Sequence, residues 1–416
     1  MTMRTLLAIA VLAATVIVPA APAPAASCGT PRVPGAEHQE SAHVADLSTA
    51  GGHTDPADWA GLTPASLPAP AAVPGIQIDG YFPDTSTGNT NHGWNHDSQF
   101  VLRMPDRWNG GLVVSGAPGV REQYANDRAI SDWVLAKGYA FASTDKGNTG
   151  ATFYTDGRRP GDALAEWNFR VTQLTLAAKA AVAHRYCGPV RRTIATGLSN
   201  GGYLVRWQLE NHPELFDGGV DWEGTLWTDR TNLLTFLPPA LRAYPDADAM
   251  HAAGFPAGSE FLWDYHHKYY WDLTQRIYRT EFDPAYTGAE ADYDYASRPA
   301  SVHRAVERIS LTGRIGKPLL TLHGTLDVLL PISLDSDVYA RMVHDAGRDR
   351  LFRYYRVEGG NHVDGLFEAF PDSVRPLTPC HRSAFTALES WLGAHVPPPA
   401  SRTIPREGDV LTTCHL

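Results

Sequence analysis

The sequence predicts an α/β fold, a mostly parallel sheet flanked by helices with one large inserted segment. Short apolar runs alternate with helix-spaced stretches along most of the chain. The runs read as continuously apolar rather than alternating, which marks strands covered on both faces. The strand–helix rhythm stops over roughly 225–310 and then resumes.

The elements follow in chain order. One positive charge in Met1–Arg4 precedes an almost wholly apolar run over 5–18, and Ala23-Pro24-Ala25 fits a small-x-small cleavage site. Residues 1–26 therefore read as a secretory signal peptide cut near Ala25 or Ala26. The run is short for a membrane span, so no stable membrane association is expected after cleavage. Residues 27–95 read as an N-terminal arm, irregular over the Gly-, Pro- and Ala-rich stretch 51–77. The core is expected over 96–224 and 311–396. Its predicted strands are 96–104, 111–115, 139–144, 192–196, 218–222, 318–322 and 352–357. Its predicted helices are 129–137, 161–186, 203–211, 332–344 and 381–392. Residues 225–310 read as a lid rich in aromatic residues, among them Trp227, Tyr265, Tyr270, Trp271 and Tyr278. Most of these suit the lid's own core, and two or three suit the wall of a substrate cleft. Glu290, Asp292 and Asp294 offer oxygen ligands suited to calcium, although a solvated acidic helix start is the simpler reading. Residues 397–416 form a short Pro-rich tail.

The chain has 416 residues and a net charge of -10 without a Lys/Arg block, which argues against a nucleic-acid partner. Its 4 cysteines, in an exported chain, suggest two disulfides, with three connectivities open. The extreme positions of Cys28 and Cys414 suggest a bridge between the two ends. No cysteine spacing fits a metal site, and His266-His267 lack a third ligand at metal spacing, so neither metal nor cofactor is expected.

The chemistry centres on Gly197-Leu198-Ser199-Asn200-Gly201-Gly202, a G-x-S-x-G string between a predicted strand and a predicted helix. That context makes it a nucleophile elbow, in which a sharp turn lifts the Ser199 hydroxyl over the sheet edge. In such an elbow the Asn200 N–H points at a developing oxyanion from a helix N-terminus. A hydroxyl needs a base and the base an orienting acid, in the chain order Ser, acid, His. Asp327 lies beyond the apolar strand Leu320–Leu322, and His362 follows the Gly359-Gly360 loop. Glu223 is the rival acid, one strand earlier. Glu358 is a third but sits too close in sequence to His362 to orient it, and His323 suits a structural role. The loop Ser115–Gly119 suits a second oxyanion donor. Pro118 has no N–H, so Ala117 is preferred, with Gly116 or Gly119 behind it.

These motifs resemble those of secreted α/β-hydrolase esterases. The double glycine after Ser199-Asn200, the large lid and the overall length are similar to the tannase and feruloyl esterase family. That resemblance covers about 95–395 and implies esters of hydroxycinnamic or gallic acid. The family often joins a Cys beside the nucleophile to one beside the catalytic His, and here Leu198 and Val363 stand there. Bacterial hydrolases of hydroxyalkanoate oligomers or polyesters are a second resemblance. The expected partner is a small or polymeric ester. A serine peptidase shares the same triad, and a catalytically inactive binding protein shares the same fold.

Overall fold

A computed structural model describes residues 28–416. The signal-peptide reading of residues 1–26 lies outside them. The described strands are β1 (His38–Val44), β2 (Gly75–Tyr81), β3 (Gln99–Pro105), β4 (Gly111–Gly116), β5 (Ala140–Thr144), β6 (Arg192–Leu198), β7 (Gly218–Trp222), β8 (Leu319–Gly324), β9 (Phe352–Val357) and β10 (Arg402–Ile404). They form one sheet in the order β1-β2-β3-β5-β4-β6-β7-β8-β9-β10. Pairing is antiparallel from β1 through β3 to β5, and parallel from β5 to β10.

Strands β3 to β8 are buried along their length except at Arg192, where β6 begins, as expected of strands covered on both faces. One face carries α1 (Asp162–Arg185) and α2 (Asn200–Asn211), with Trp167, Leu174, Leu204 and Leu209 buried against it. The opposite face carries α3 (Thr378–Ala394), which packs on β7 and β8 through Ala384, Phe385 and Leu388.

The N-terminal arm departs from its sequence reading. It supplies β1 and β2, in register from His38 opposite Tyr81 to Val44 opposite Gly75. Strand β1 is an exposed edge, and its polar sequence HQESAHV carries no apolar run. The tail supplies β10, so the sheet extends beyond β9. Between β7 and β8 the described chain forms helices and turns only, including α4 (Leu233–Ala243) and α5 (Asp272–Phe282).

The disulfides join Cys28 to Cys187 and Cys380 to Cys414. The expected Cys28–Cys414 bridge is therefore wrong. Cys28 instead meets the turn after α1, where its N–H donates to the Arg185 carbonyl, and the tail is tied back to α3. Glu290 is engaged by Arg279 at 2.6 Å, which takes up that acidic stretch's first carboxylate.

Candidate active site

The elbow joins β6 to α2. Ser199 has φ 58° and ψ −120°, a backbone that a serine adopts only under strain. Neighbouring glycines make room for it. A Cβ on Gly197 would lie 2.5 Å from the Gly201 carbonyl carbon, and one on Gly201 would lie 2.5 Å from the Gly116 carbonyl oxygen. The turn is pinned by the Ser199 N–H on the Trp222 carbonyl and by the Tyr203 and Thr225 N–H groups on the Ser199 carbonyl.

The structure brings Ser199, His362 and Asp327 into one chain of hydrogen bonds. His362 Nε2 lies 3.0 Å from Ser199 Oγ, and Nδ1 lies 2.8 Å from Asp327 Oδ2. Asp327 follows β8, and its other oxygen accepts the Leu329 and Leu330 N–H groups. His323 also faces Asp327, at 3.3 Å, and its ring is fixed by Ser336 and the Leu330 carbonyl. Burial alone would raise the Asp327 pKa, but the facing His362 and His323 rings hold it well below the usual carboxylate range. Such an array can draw the Ser199 proton onto His362 and stabilise the resulting imidazolium.

Glu223 also converges here. One oxygen accepts the Gly324 N–H at 2.5 Å, and the other is 3.6 Å from His362 Nδ1 without a hydrogen-bond partner. Burial, then the Asp327 charge, pushes its pKa well above the usual range. Asp327 is thus the nearer acid and the one whose charged form the site favours, whereas the charged form of Glu223 is disfavoured. Glu358 is exposed and accepts from the Arg406 N–H instead.

The Ala117 assignment fails. Its N–H donates to the Thr144 carbonyl at 3.0 Å and extends the β4–β5 ladder. Gly119, with φ 52°, lines the cavity over Ser199, and its N–H makes no hydrogen bond to any described residue. It can face an oxyanion together with the Asn200 N–H at the start of α2, where helical donors lack partners. Sequence reasoning also missed the Asn200 side chain. Its amide donates to the Gly119 carbonyl and to Tyr278 Oη, and it accepts from Thr225. Elbow, loop and α5 are thereby held together, a link between distant segments that no local motif signals.

A cavity of about 310 Å³ opens over Ser199. Its walls are mostly apolar and include Leu62 from the arm, Leu233 and Ile277 from the insertion, and Leu330. Of the insertion's aromatics, Tyr265, Tyr270 and Tyr278 reach it, while Trp227 and Trp271 are buried within the packing. Among the described residues, the one close cluster of His and acid groups is Glu223, Asp327 and His362, which is this site.

Fold and site together define an α/β-hydrolase with a Ser-His-Asp array. Residues 280–415 match the family described as 3HB-oligomer hydrolase, and residues 130–249 match the prolyl oligopeptidase family. A D-(-)-3-hydroxybutyrate oligomer hydrolase of Azoarcus sp. (strain BH72) is 31% identical over 118 residues, 26% of this chain and 17% of that protein. Its counterpart in Cupriavidus pinatubonensis is 30% identical over 125 residues, 28% of this chain and 18% of that protein. The chain thus spans under a fifth of the length of these relatives. Among solved structures, an esterase from Aspergillus oryzae superposes with a TM-score of 0.60 at 13% identity, covering 92% of both chains. Feruloyl esterase B from Aspergillus oryzae gives 0.57 at 14% identity, covering 88% of this chain and 89% of that one. Tannin acyl hydrolase from Aspergillus niger gives 0.53 at 13% identity, covering 91% and 86%. At such identities the likeness is one of fold.

Proposed function

We propose that the chain is an exported serine hydrolase of carboxylic esters, with Ser199 as nucleophile, His362 as general base and acid, and Asp327 as the orienting acid. The observation that carries this is the continuous Ser199–His362–Asp327 hydrogen bonding beneath an apolar cavity. Ser199 Oγ attacks the ester carbonyl as its proton passes to His362 Nε2. The Asn200 and Gly119 N–H groups receive the oxyanion, and the alcohol leaves with the His362 proton. Water, activated by the same imidazole, then releases the acid. Two disulfides suit an oxidising compartment and support export. Among the described residues, no helix is long and apolar enough to cross a membrane.

Two acyl classes have support. The match to hydroxybutyrate oligomer hydrolases over 280–415 favours hydroxyalkanoate oligomers, and the whole-chain fold likeness to feruloyl and tannin esterases accommodates phenolic esters. The test is labelling of the purified protein by a fluorophosphonate probe, followed by a panel of aryl, feruloyl, galloyl and hydroxybutyrate esters and a peptide substrate. Wild type is expected to label and to cleave esters, and Ser199→Ala to do neither while remaining folded. A Ser199→Ala chain that keeps most turnover, or a folded wild type that does not label, would sink the reading.

A further inference from the structure

The wall of the cavity over Ser199 holds a polar group that the triad does not use. His266 lines that cavity and is 4% exposed. Its Nδ1 lies 2.8 Å from the Leu262 carbonyl, one turn back on its own helix. A carbonyl oxygen only accepts, so Nδ1 carries the proton. Nε2, on the far edge of the ring, makes no hydrogen bond to any described residue. Burial pushes the His266 pKa down to about 4, so the ring is neutral near pH 7 and Nε2 presents a bare lone pair. The ring stands at the end of a short helix, Trp263–His266, just before a π-helical turn over His267–Trp271, a device frequent at functional sites.

The other polar groups on this wall are already engaged or can donate. Arg121 donates to the Asp58 and Ala60 carbonyls, and Thr225 donates to Asn200. An ester's own oxygens are acceptors and give Nε2 nothing. A ligand that covers Nε2 without supplying a donor leaves an acceptor buried and unpaired, which costs free energy, so a ligand that brings an O–H is favoured over its deoxy analogue.

We propose that His266 is a specificity-determining residue that accepts a hydrogen bond from a free hydroxyl on the substrate, so that the site selects hydroxyacyl esters. This rests on the ester-hydrolase reading above and adds the chemical class of the acyl group. An aliphatic hydroxyacid and a phenolic acid both supply such a donor, and the experiment separates them.

The test compares 4-nitrophenyl 3-hydroxybutanoate with the butanoate, and 4-nitrophenyl 4-hydroxycinnamate with the cinnamate, on the full purified chain. One pair is expected to favour its hydroxylated member by about tenfold in kcat/KM, the effect of one well-made hydrogen bond. His266→Phe should bring that ratio close to one, and His266→Gln, which keeps an acceptor, should restore part of it. The responding pair identifies the hydroxyl as aliphatic or phenolic. Ratios near one for both pairs in wild type, or a ratio that survives His266→Phe, overturn the proposal while leaving the esterase reading intact. A chain that cleaves none of the four esters overturns both. If His266→Phe misfolds, Ser199→Ala provides a reading without turnover. It should bind methyl 3-hydroxybutanoate or methyl 4-hydroxycinnamate more tightly than the matching deoxy ester, and equal binding within both pairs refutes the inference.

Discussion

At the scale of single residues, the site depends on atoms that leave no slack. Gly201→Ala would drive a methyl into the Gly116 carbonyl, 2.5 Å away, and displace the loop that carries Gly119. Loss of both activity and melting temperature is expected, read by ester turnover and thermal denaturation of the same preparation. The two acids should separate cleanly. Asp327→Asn removes the charged partner of His362 and should lower kcat by roughly 10³- to 10⁴-fold. Glu223→Gln changes a group that stands 3.6 Å from His362 Nδ1 without a hydrogen bond to it and should cost far less, so equal losses would assign the orienting role to both. That Ser199, Asp327 and His362 come together was readable because each follows a strand end that its flanking sequence marks. The engagement of the Ala117 N–H was not, because it depends on Thr144, a partner on a neighbouring strand.

At the scale of elements, α5 meets the elbow through the bond from Asn200 to Tyr278. Tyr278→Phe deletes that acceptor and frees the amide that also holds the Gly119 carbonyl. A several-fold fall in kcat with KM little changed is expected if the bond positions the oxyanion loop, whereas a rise in KM alone would assign Tyr278 to substrate contact. The buried strands were legible in the sequence, and the predicted 218–222 and 352–357 coincide with β7 and β9. The outlying strands were not. β1 is mostly exposed and polar, and β10 is three residues long, so neither carries a hydrophobic period. Disulfide pairing was hidden for a related reason, since it is set by which turns lie side by side. Replacing Cys380 and Cys414 by Ser should lower stability by about 3 to 4 kcal/mol on a chain-entropy estimate for the loop they close, measurable by urea unfolding.

For the whole molecule, two buried histidines favour unfolding as pH falls, against buried carboxyls such as Asp145 and Glu281 whose raised pKa values act in the opposite direction. His381 is fully buried, with Nε2 on Thr196 Oγ1 and Nδ1 unpaired, and burial pushes its pKa down to about 3. His266 is likewise depressed, to about 4. Both rings are neutral in the folded chain and take up protons on unfolding at acid pH. Their contribution is therefore present above the unfolded value of 6.5 and is lost as pH falls from there toward 3. Relative to wild type, His381→Gln should gain melting temperature as pH falls across that window, because the histidine's share of the pH dependence is removed. A difference between the two chains that does not change with pH would show that His381 does not titrate on unfolding.

The tail has a further consequence. β10 occupies the open rim of β9, and the Cys380–Cys414 bond secures the segment that follows it, while at the opposite rim, among the described residues, β1 presents mostly charged and polar side chains. A thiol reductant would cut the Cys28–Cys187 bond ahead of β1 as well, but it is at β10 that it would free a segment paired to the sheet's rim. The bared flank of β9 would become adhesive to other chains, so preparations handled with reductant should clump through that border long before the fold itself gives way.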